Sequence, residues 1–416
     1  MRRAGHPNIG LIVDSFHTLA RELDPNSIRS IPGDKIFFVQ LADAPAIDMD
    51  LFHWSRHYRC MPGEGDLDVV RFMSAVAATG YDGYVSLEIF NDQFRGGSPK
   101  TISVDGHRSL VYLMDRVKRA EPGIVMELPD MPDRVRASGI EFIEFAADES
   151  EAEELGAQLT ALGFQKAGRH IAKDVKLWRQ KIPAIRGVGG GIMHFLDSHS
   201  ELARVWEIEF EPEEGHAPGE DAGLTSIDHL AQTMNYEEML TWLLFYTSIF
   251  DTRKTPMVDV VDPAGLVRSQ AIENPEGSLR ITLNGAENRK TLAGHFISES
   301  FGSAVQHIAF KTDDIFATVD RLKETGFVPL GISPNYYDDL DARFALDGDL
   351  LDRLKDANIL YDRDGQGEYF QLYSPNYGEG FFFEIVERRG GYAGYGASNA
   401  QFRIAAQKRA LESGAG

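Results

Sequence analysis

Two hydrophobic patterns divide the chain. Over the first 120 residues, short apolar runs, "NIGLIVD" (8–14), "KIFFVQLAD" (35–43) and "GYVSLEIF" (83–90), alternate with stretches of helical period such as Leu67 to Ala78. Continuous apolar runs read as strands buried on both faces, and strands separated by helices read as parallel α/β structure. A proline-bearing segment, "AEPGIVMELPDMPDRV" (120–135), closes this part. From Ile140 a unit recurs: a strand, an acidic turn, an amphipathic helix and a glycine-aromatic exit. It is seen in "IEFIEFAADESEAEELGAQLTALGF" (140–164) and "VQHIAFKTDDIFATVDRLKETGF" (305–327). A third start, "IDHLAQTMNYEEMLTWLLFYTSIF" (227–250), has a more apolar helix and predicts a buried one. Closing segments such as "GEYFQLYSPNYGEGFFFEIVE" (367–387) complete a repeated βαβββ module. The interval from 140 to 227 holds one helix and then the strand ending "GGGIMHFLD" (189–197), so it amounts to one module or to fragments of two.

One residue breaks the pattern. In "GEGFFFEIVER" (378–388), alternation sends Phe381, Phe383 and Ile385 to one face and Phe382, Glu384 and Val386 to the other. Glu384 therefore sits among apolar neighbours, where an ionised carboxylate needs a cationic partner or a metal. Two histidines occupy equivalent strand positions in the repeats: His229 in "SIDHLAQ" and His307 in "AVQHIAF". His229, His307 and Glu384 follow one another at intervals of 78 and 77 residues, one module each. A strand histidine taken singly reads as a satisfied core residue. Two imidazoles and one carboxylate with open positions form the facial triad suited to non-haem Fe2+ oxygen chemistry.

Bulk properties narrow the partners. Forty-two basic against sixty-four acidic residues give a net charge of −22, which disfavours nucleic acid and anionic membranes and means that an anionic substrate needs a local cation. Cys60 is the only cysteine, so no internal disulfide forms, and no run of apolar residues is long enough to span a bilayer. These features predict a cytoplasmic protein. "GVGGG" (187–191) lacks the lysine of a phosphate loop, "DRDGQGE" (362–368) lacks the last carboxylate of a calcium loop and reads as a hairpin turn, and "ADESEAEE" (147–154) is an acidic helix start.

From about 224 to 396 the chain resembles the catalytic half of 4-hydroxyphenylpyruvate dioxygenase, in the vicinal-oxygen-chelate superfamily. The strings that carry the likeness are "IDHLAQTM", "RSQAIENPEGSLRITLNG", "GSAVQHIAFKTDDI", "YYDDLDAR", "ILYDRDGQGEYFQLYS" and "FFFEIVERRGG". The resemblance implies His229, His307 and Glu384 as Fe2+ ligands, Ser269, Asn284 and Gln371 lining the substrate pocket, and decarboxylation of an α-keto acid coupled by O2 to aromatic hydroxylation. "LNGAEN" keeps Asn284 but not the family's following proline. "GYGASNAQFRIAAQ" (394–407) puts Ala400, with Phe402 nearby, where the family carries a phenylalanine over the substrate ring.

The N-terminal strands resemble the last third of a xylose-isomerase-like TIM barrel, specifically bacterial 3-dehydroshikimate dehydratase, which some bacteria fuse ahead of a dioxygenase-like domain. Asp14 and His17 in "DSFH", Gln40 in "FFVQLAD", Arg59 in "HYRCMPGEG" and Glu88 in "SLEIFND" match. Asp14, Gln40 and Glu88 end successive strands, where this fold places its chemistry, and such oxygen ligands suit Mg2+ or Mn2+. The resemblance implies His17 as the proton-transfer residue, Arg59 as a carboxylate binder and a fourth ligand on a preceding strand that this chain begins too late to contain. On that reading three of the eight barrel strands are present and the dehydratase site is incomplete.

The expected organisation is a partial TIM barrel over 1–122, a linker over 123–138, an incomplete vicinal-oxygen-chelate region over 139–222, a dioxygenase-type domain over 223–396 and a helical tail over 397–416. "KLWRQ" (176–180) running into "KIPAIRGVGGG" (181–191) reads as the end of one module joined to the middle of another, about one module short of the fused relatives. The leading expectation is an Fe2+ dioxygenase acting on a small aromatic or cyclic keto acid and O2. Alternatives are a dehydratase forming protocatechuate and a metal-holding module without turnover. Exposed module edges point to a homo-oligomer.

Overall fold

The computed structural model describes residues 6–92, 94, 98–125, 131–170, 183–212, 222–378 and 380–412. The chain forms two compact units, one of residues 1–136 with 237–251 and one of 137–236 with 252–416.

The first unit carries three parallel strands in the order β1 (Leu11–Asp14), β2 (Ile36–Leu41), β3 (Val85–Leu87). Helices Val69–Ala77 and Pro99–Ala120 contribute Phe72, Met73, Val76, Leu113 and Val117 to a core with Ile36, Val39 and Leu41. Asp68 caps the first of these helices by accepting from the Arg71 N–H, which places its start at the end of the acidic "GDLD" turn. Phe72 and Leu113 are fully buried, so truncating either to alanine costs about 2–5 kcal/mol. Helix Tyr236–Ile249, apart from its first residue, belongs to this unit, although its place after a repeat strand had assigned it to the dioxygenase-type domain. It buries Met239, Leu240, Leu243, Leu244 and Tyr246 and is tied to the long helix by a hydrogen bond from Thr241 to Asp105.

The second unit begins irregularly. The strand expected over 140–146 is not formed; helix Glu149–Ala161 follows with a complete capping box between Asp148 and Glu151. Only two isolated pairs occur in this stretch among the described residues: β4 (Gly168–His170) with β7 (Phe210–Pro212), and β5 (Ala184–Arg186) with β6 (Ile192–His194). A strand needs a neighbour for its backbone groups, and none of the described residues offers a ladder to 140–146. Much of the junction read at 176–191 lies outside the described residues.

From residue 224 the repeat is realised. The strands are β8 (Leu224–Asn235), β9 (Arg253–Lys254), β10 (Val258–Asp262), β11 (Gly265–Glu273), β12 (Arg280–Ala286), β13 (Ala304–Thr312), β14 (Leu360–Arg363), β15 (Gly367–Tyr373) and β16 (Phe382–Gly390). They make one sheet in the order β10-β11-β12-β8-β13-β16-β15-β14, with β9 beside β11. β12 runs parallel to β8 and β16 parallel to β13, while β8 and β13 meet antiparallel. Two βαβββ units are thus joined through their first strands, the vicinal-oxygen-chelate arrangement. Ile308, Phe310, Phe383 and Ile385 pack with Ile315, Val319, Leu322 and Tyr336 of the following helices, leaving the alternate residues for the other face.

Candidate metal centre and barrel site

The pairing of three adjacent strands assembles the centre. Ala309 of β13 is opposite His229 of β8 on one side and Glu384 of β16 on the other, and His307 lies two residues along on the same face. The small side chain at 309 leaves the space between His229 and Glu384 open. His229 Nε2 and His307 Nε2 are 3.3 Å apart, and Glu384 Oε2 is 3.4 Å from the first and 3.3 Å from the second. Donor atoms each about 2.1 Å from one ion, at angles between ~90° and ~110°, are separated by roughly 3.0–3.4 Å, so the triangle fits the face of one metal's coordination shell. Among the described residues this is the one group of three or more His, Cys, Asp or Glu able to hold a metal in this way.

Each histidine is preceded by a β-bulge. Between the pairs Ala309–His229 and Phe310–Ile227 the extra residue is Asp228; between Val305–Gln232 and His307–Ala231 it is Gln306. A bulge re-aims side chains, and this one brings Asp228 to the ring of its own neighbour. Asp228 Oδ1 accepts from His229 Nδ1 at 2.8 Å, which leaves the lone pair on Nε2 facing the centre. Arg388 grips both oxygens of Asp228, at 2.9 and 3.0 Å, and Arg280 adds a third contact at 3.2 Å. The Gln306 side chain instead accepts from Thr233, and His307 Nδ1 is buried without a hydrogen-bond partner; the ring rests on Phe382 at 4.7 Å.

Burial works against charge at every one of these groups, and the outcome depends on partners. Asp228 is held far below the ordinary carboxylate range because His229 and Arg388 outweigh its desolvation. Desolvation of Glu384 is likewise outweighed by His229 and His307, which keep it ionised. His229 is also desolvated, yet Asp228 and Glu384 raise its proton affinity; in His307 burial prevails and lowers the value to about 4.

Gln371 stands beside the centre. Its Nε2 donates to Glu384 Oε1 at 2.9 Å and to the Tyr373 hydroxyl at 2.6 Å, and its Oε1 accepts from Asn399. Its amide is therefore occupied in orienting Glu384. Gly396 has φ +58°, and a Cβ there would fall 2.1 Å from Gln371 Oε1, so this approach needs glycine. Ser269 and Asn284 pair across β11 and β12, and Asn284 pairs with Thr233, which puts both on the face that carries His229. Neither is hydrogen-bonded to His229, His307 or Glu384. Phe402 packs edge-on against Tyr336 at 4.9 Å, so it does not replace the ring expected at Ala400.

In the first unit, Asp14, Gln40 and Glu88 end neighbouring strands and form a second cluster with His17 and Arg59. Gln40 donates to Glu88 Oε1 at 2.8 Å. Asp14 uses Oδ1 to cap the helix Ser15–Leu19 and turns Oδ2 toward Arg59 Nη1 at 3.4 Å. Arg59, only 1 % exposed, also holds Glu88 Oε2 at 2.8 Å, the carbonyl and hydroxyl of Ser55, and His17 Nε2 at 3.2 Å. A guanidinium can only donate, so His17 receives this bond through its Nε2 lone pair. The expected carboxylate binder is thus the internal counter-ion of the cluster in this structure. Hard oxygen donors with one amide suit Mg2+ or Mn2+ by donor chemistry.

Comparison with known proteins follows this division. Residues 1–113 match the xylose isomerase-like TIM barrel, 132–181 the N-terminal part of hydroxyphenylpyruvate dioxygenase, and 226–365 the glyoxalase/bleomycin resistance protein/dioxygenase superfamily. Proteins named 3-dehydroshikimate dehydratase from Pseudomonas putida and Pseudomonas aeruginosa are 39% and 40% identical, over 99% of this chain and 75% of theirs. The chain belongs to the 3-dehydroshikimate dehydratase family. A solved structure, that of a xylose isomerase-like TIM barrel/4-hydroxyphenylpyruvate dioxygenase fusion protein, superposes with a TM-score of 0.85 at 39% identity, covering 98% of this chain and 75% of that one. The 4-hydroxyphenylpyruvate dioxygenase of Pseudomonas aeruginosa is 29% identical over 58% of the chain. The alignments to these dehydratases run over 479 and 476 residues, longer than the 416 of this chain, so the relatives contain residues with no counterpart here. No helix among the described residues is long and apolar enough to cross a membrane.

Proposed function

We propose that this protein is a metal-dependent lyase that converts 3-dehydroshikimate to protocatechuate and water at the cluster of Asp14, His17, Gln40, Arg59 and Glu88. This reverses the order of the two enzymatic readings drawn from sequence. The observation that carries it is identity of about 40% to dehydratases over essentially the whole chain, with all five matching residues gathered in one cluster. Asp14, Gln40 and Glu88 would hold Mg2+ or Mn2+, which supplies charge stabilisation to an enolate-like oxygen when bound. His17, whose Nε2 lone pair passes from Arg59 to the substrate, takes the proton next to the ring carbonyl and returns it to the departing hydroxyl. Arg59 holds His17 and the two carboxylates in place and supplies positive charge beside the anionic substrate. The test is the absorbance of protocatechuate after 3-dehydroshikimate is added with Mg2+ or Mn2+. Product is expected, and a chelator should stop its formation.

A second reading is favoured by the geometry of His229, His307 and Glu384. We infer that these residues hold Fe2+ in a dioxygenase-type centre. The ion, when bound, would bring a chelating substrate and O2 together; the chain's part is to present three inward donors, fix the His229 tautomer through Asp228 and orient Glu384 through Gln371. Oxygen uptake by the iron-loaded chain with 4-hydroxyphenylpyruvate tests whether this centre turns over an α-keto acid.

A further inference from the structure

The C-terminal helix Ala400–Glu412 presents Ala400, Arg403 and Gln407, at i, i+3 and i+7, along one stripe. The guanidinium carbon of Arg403 lies 5.0 Å from the ring centre of Phe382 and 5.6 Å from that of Tyr373. Phe382 is the ring stacked on His307, and the Tyr373 hydroxyl shares the Gln371 amide with Glu384. A positive charge thus stands one aromatic ring from the metal centre. The neighbouring cations are neutralised within the protein: Arg388 and Arg280 by Asp228, Arg389 by Glu387 and Lys408 by Asp262. Arg403 forms no ion pair among the described residues, and its side-chain hydrogen bond goes to the neutral amide of Gln407. A guanidinium laid on aromatic rings with donors unspent is a carboxylate receptor. The same helix offers Ala400 where a substrate-stacking ring was expected, and Phe402 is turned to Tyr336.

We propose that Arg403 receives the carboxylate of a small molecule bound at the His229–His307–Glu384 centre. The ligand class is then one with two vicinal oxygens for the metal and a carboxylate at its far end, in place of an aromatic keto acid gripped by a ring. A carboxylated catechol has this form, and protocatechuate, the product proposed for the barrel, is one. The inference rests on the metal-centre reading.

The test uses the full chain loaded with iron and oxidised to Fe3+, because a catecholate bound to ferric iron gives a visible charge-transfer band that ligand in the barrel does not. Titration with protocatechuate and with catechol, which lacks the carboxylate, reads the contribution of Arg403. Protocatechuate should bind about tenfold or more tighter, the scale of one charge-assisted hydrogen bond. Arg403→Gln should abolish that preference while iron content and catechol affinity stay unchanged, and Arg403→Lys should restore part of it. Equal affinities in the unaltered chain, or a preference that survives Arg403→Gln, would overturn the proposal. A chain that takes up no iron overturns the metal centre together with this inference; one that takes up iron without preference overturns this inference alone.

Discussion

The two clusters use the same residue types and differ in what neutralises them. In the barrel unit, Asp14 and Glu88 close on the guanidinium of Arg59, which is fully buried and spends its donors on them, on Ser55 and on His17. In the second unit, the buried guanidinium of Arg388 is set one residue back, on Asp228, and the three inward donors of His229, His307 and Glu384 face one another with no arginine or lysine among them. A buried cation inside a cluster holds its carboxylates together before any metal is bound. A buried cation set behind His229, on Asp228, leaves the three inward donors without one, the arrangement that would suit a bound ion.

The largest expected effect is on the barrel chemistry. Replacing His17 with alanine should lower dehydration of 3-dehydroshikimate by about 10²- to 10⁴-fold, the usual contribution of a general acid–base, without changing the iron content of the other centre. At that other centre, Glu384→Ala should weaken iron binding by on the order of 100-fold or more, measured by metal competition, because it removes a direct ligand rather than its support. Arg59→Met probes the cluster with the internal cation. Two carboxylates would be left facing each other, the cost to folding should be about 3–5 kcal/mol in denaturant, and Mg2+ should recover part of it. If Mg2+ has no effect on that variant, the contrast between an internal and an external cation fails.

Asp228→Asn should weaken iron binding by about 10- to 100-fold even though Asp228 touches no metal, and at the same time destabilise the unit through the stranded Arg388. The smallest effect concerns the helix that carries Arg403. Asp262 is desolvated, but Lys408 and the N–H groups of Ala264 and Leu292 outweigh this and hold its carboxyl below the ordinary range. A depressed carboxyl contributes stability that is fully present above its unfolded value and is lost as pH falls through the folded one. Acid titration of stability should therefore show this loss below about pH 4, and Lys408→Met should remove it at a cost of ~1.5–3 kcal/mol near neutrality.

The βαβββ repeat was legible from residue 224 because each module is four strands and a helix with their own apolar periods, and strand parity alone separated Glu384 from Phe383. The set of His229, His307 and Glu384 followed from the repeat interval. Asp228 could not be found this way: alternation puts it on the face opposite His229, and the bulge that reverses this depends on how β13 aligns, which no local pattern encodes. Arg388 and Arg280 were hidden for the same reason, as their partner was. The strand expected over 140–146 failed in the opposite sense, since its local pattern is good and no strand pairs with it among the described residues. The placing of helix Tyr236–Ile249 in the first unit was also beyond the pattern, because a helix that is apolar all round does not show which neighbour it will choose.

The lyase assignment is tested most directly by the rate at which protocatechuate forms from 3-dehydroshikimate in the unaltered chain and in Glu88→Gln, both with Mn2+. Metal-dependent product formation that falls by at least about a hundredfold in the variant is the expected result. No product from the unaltered chain, or an undiminished rate in Glu88→Gln, would contradict it.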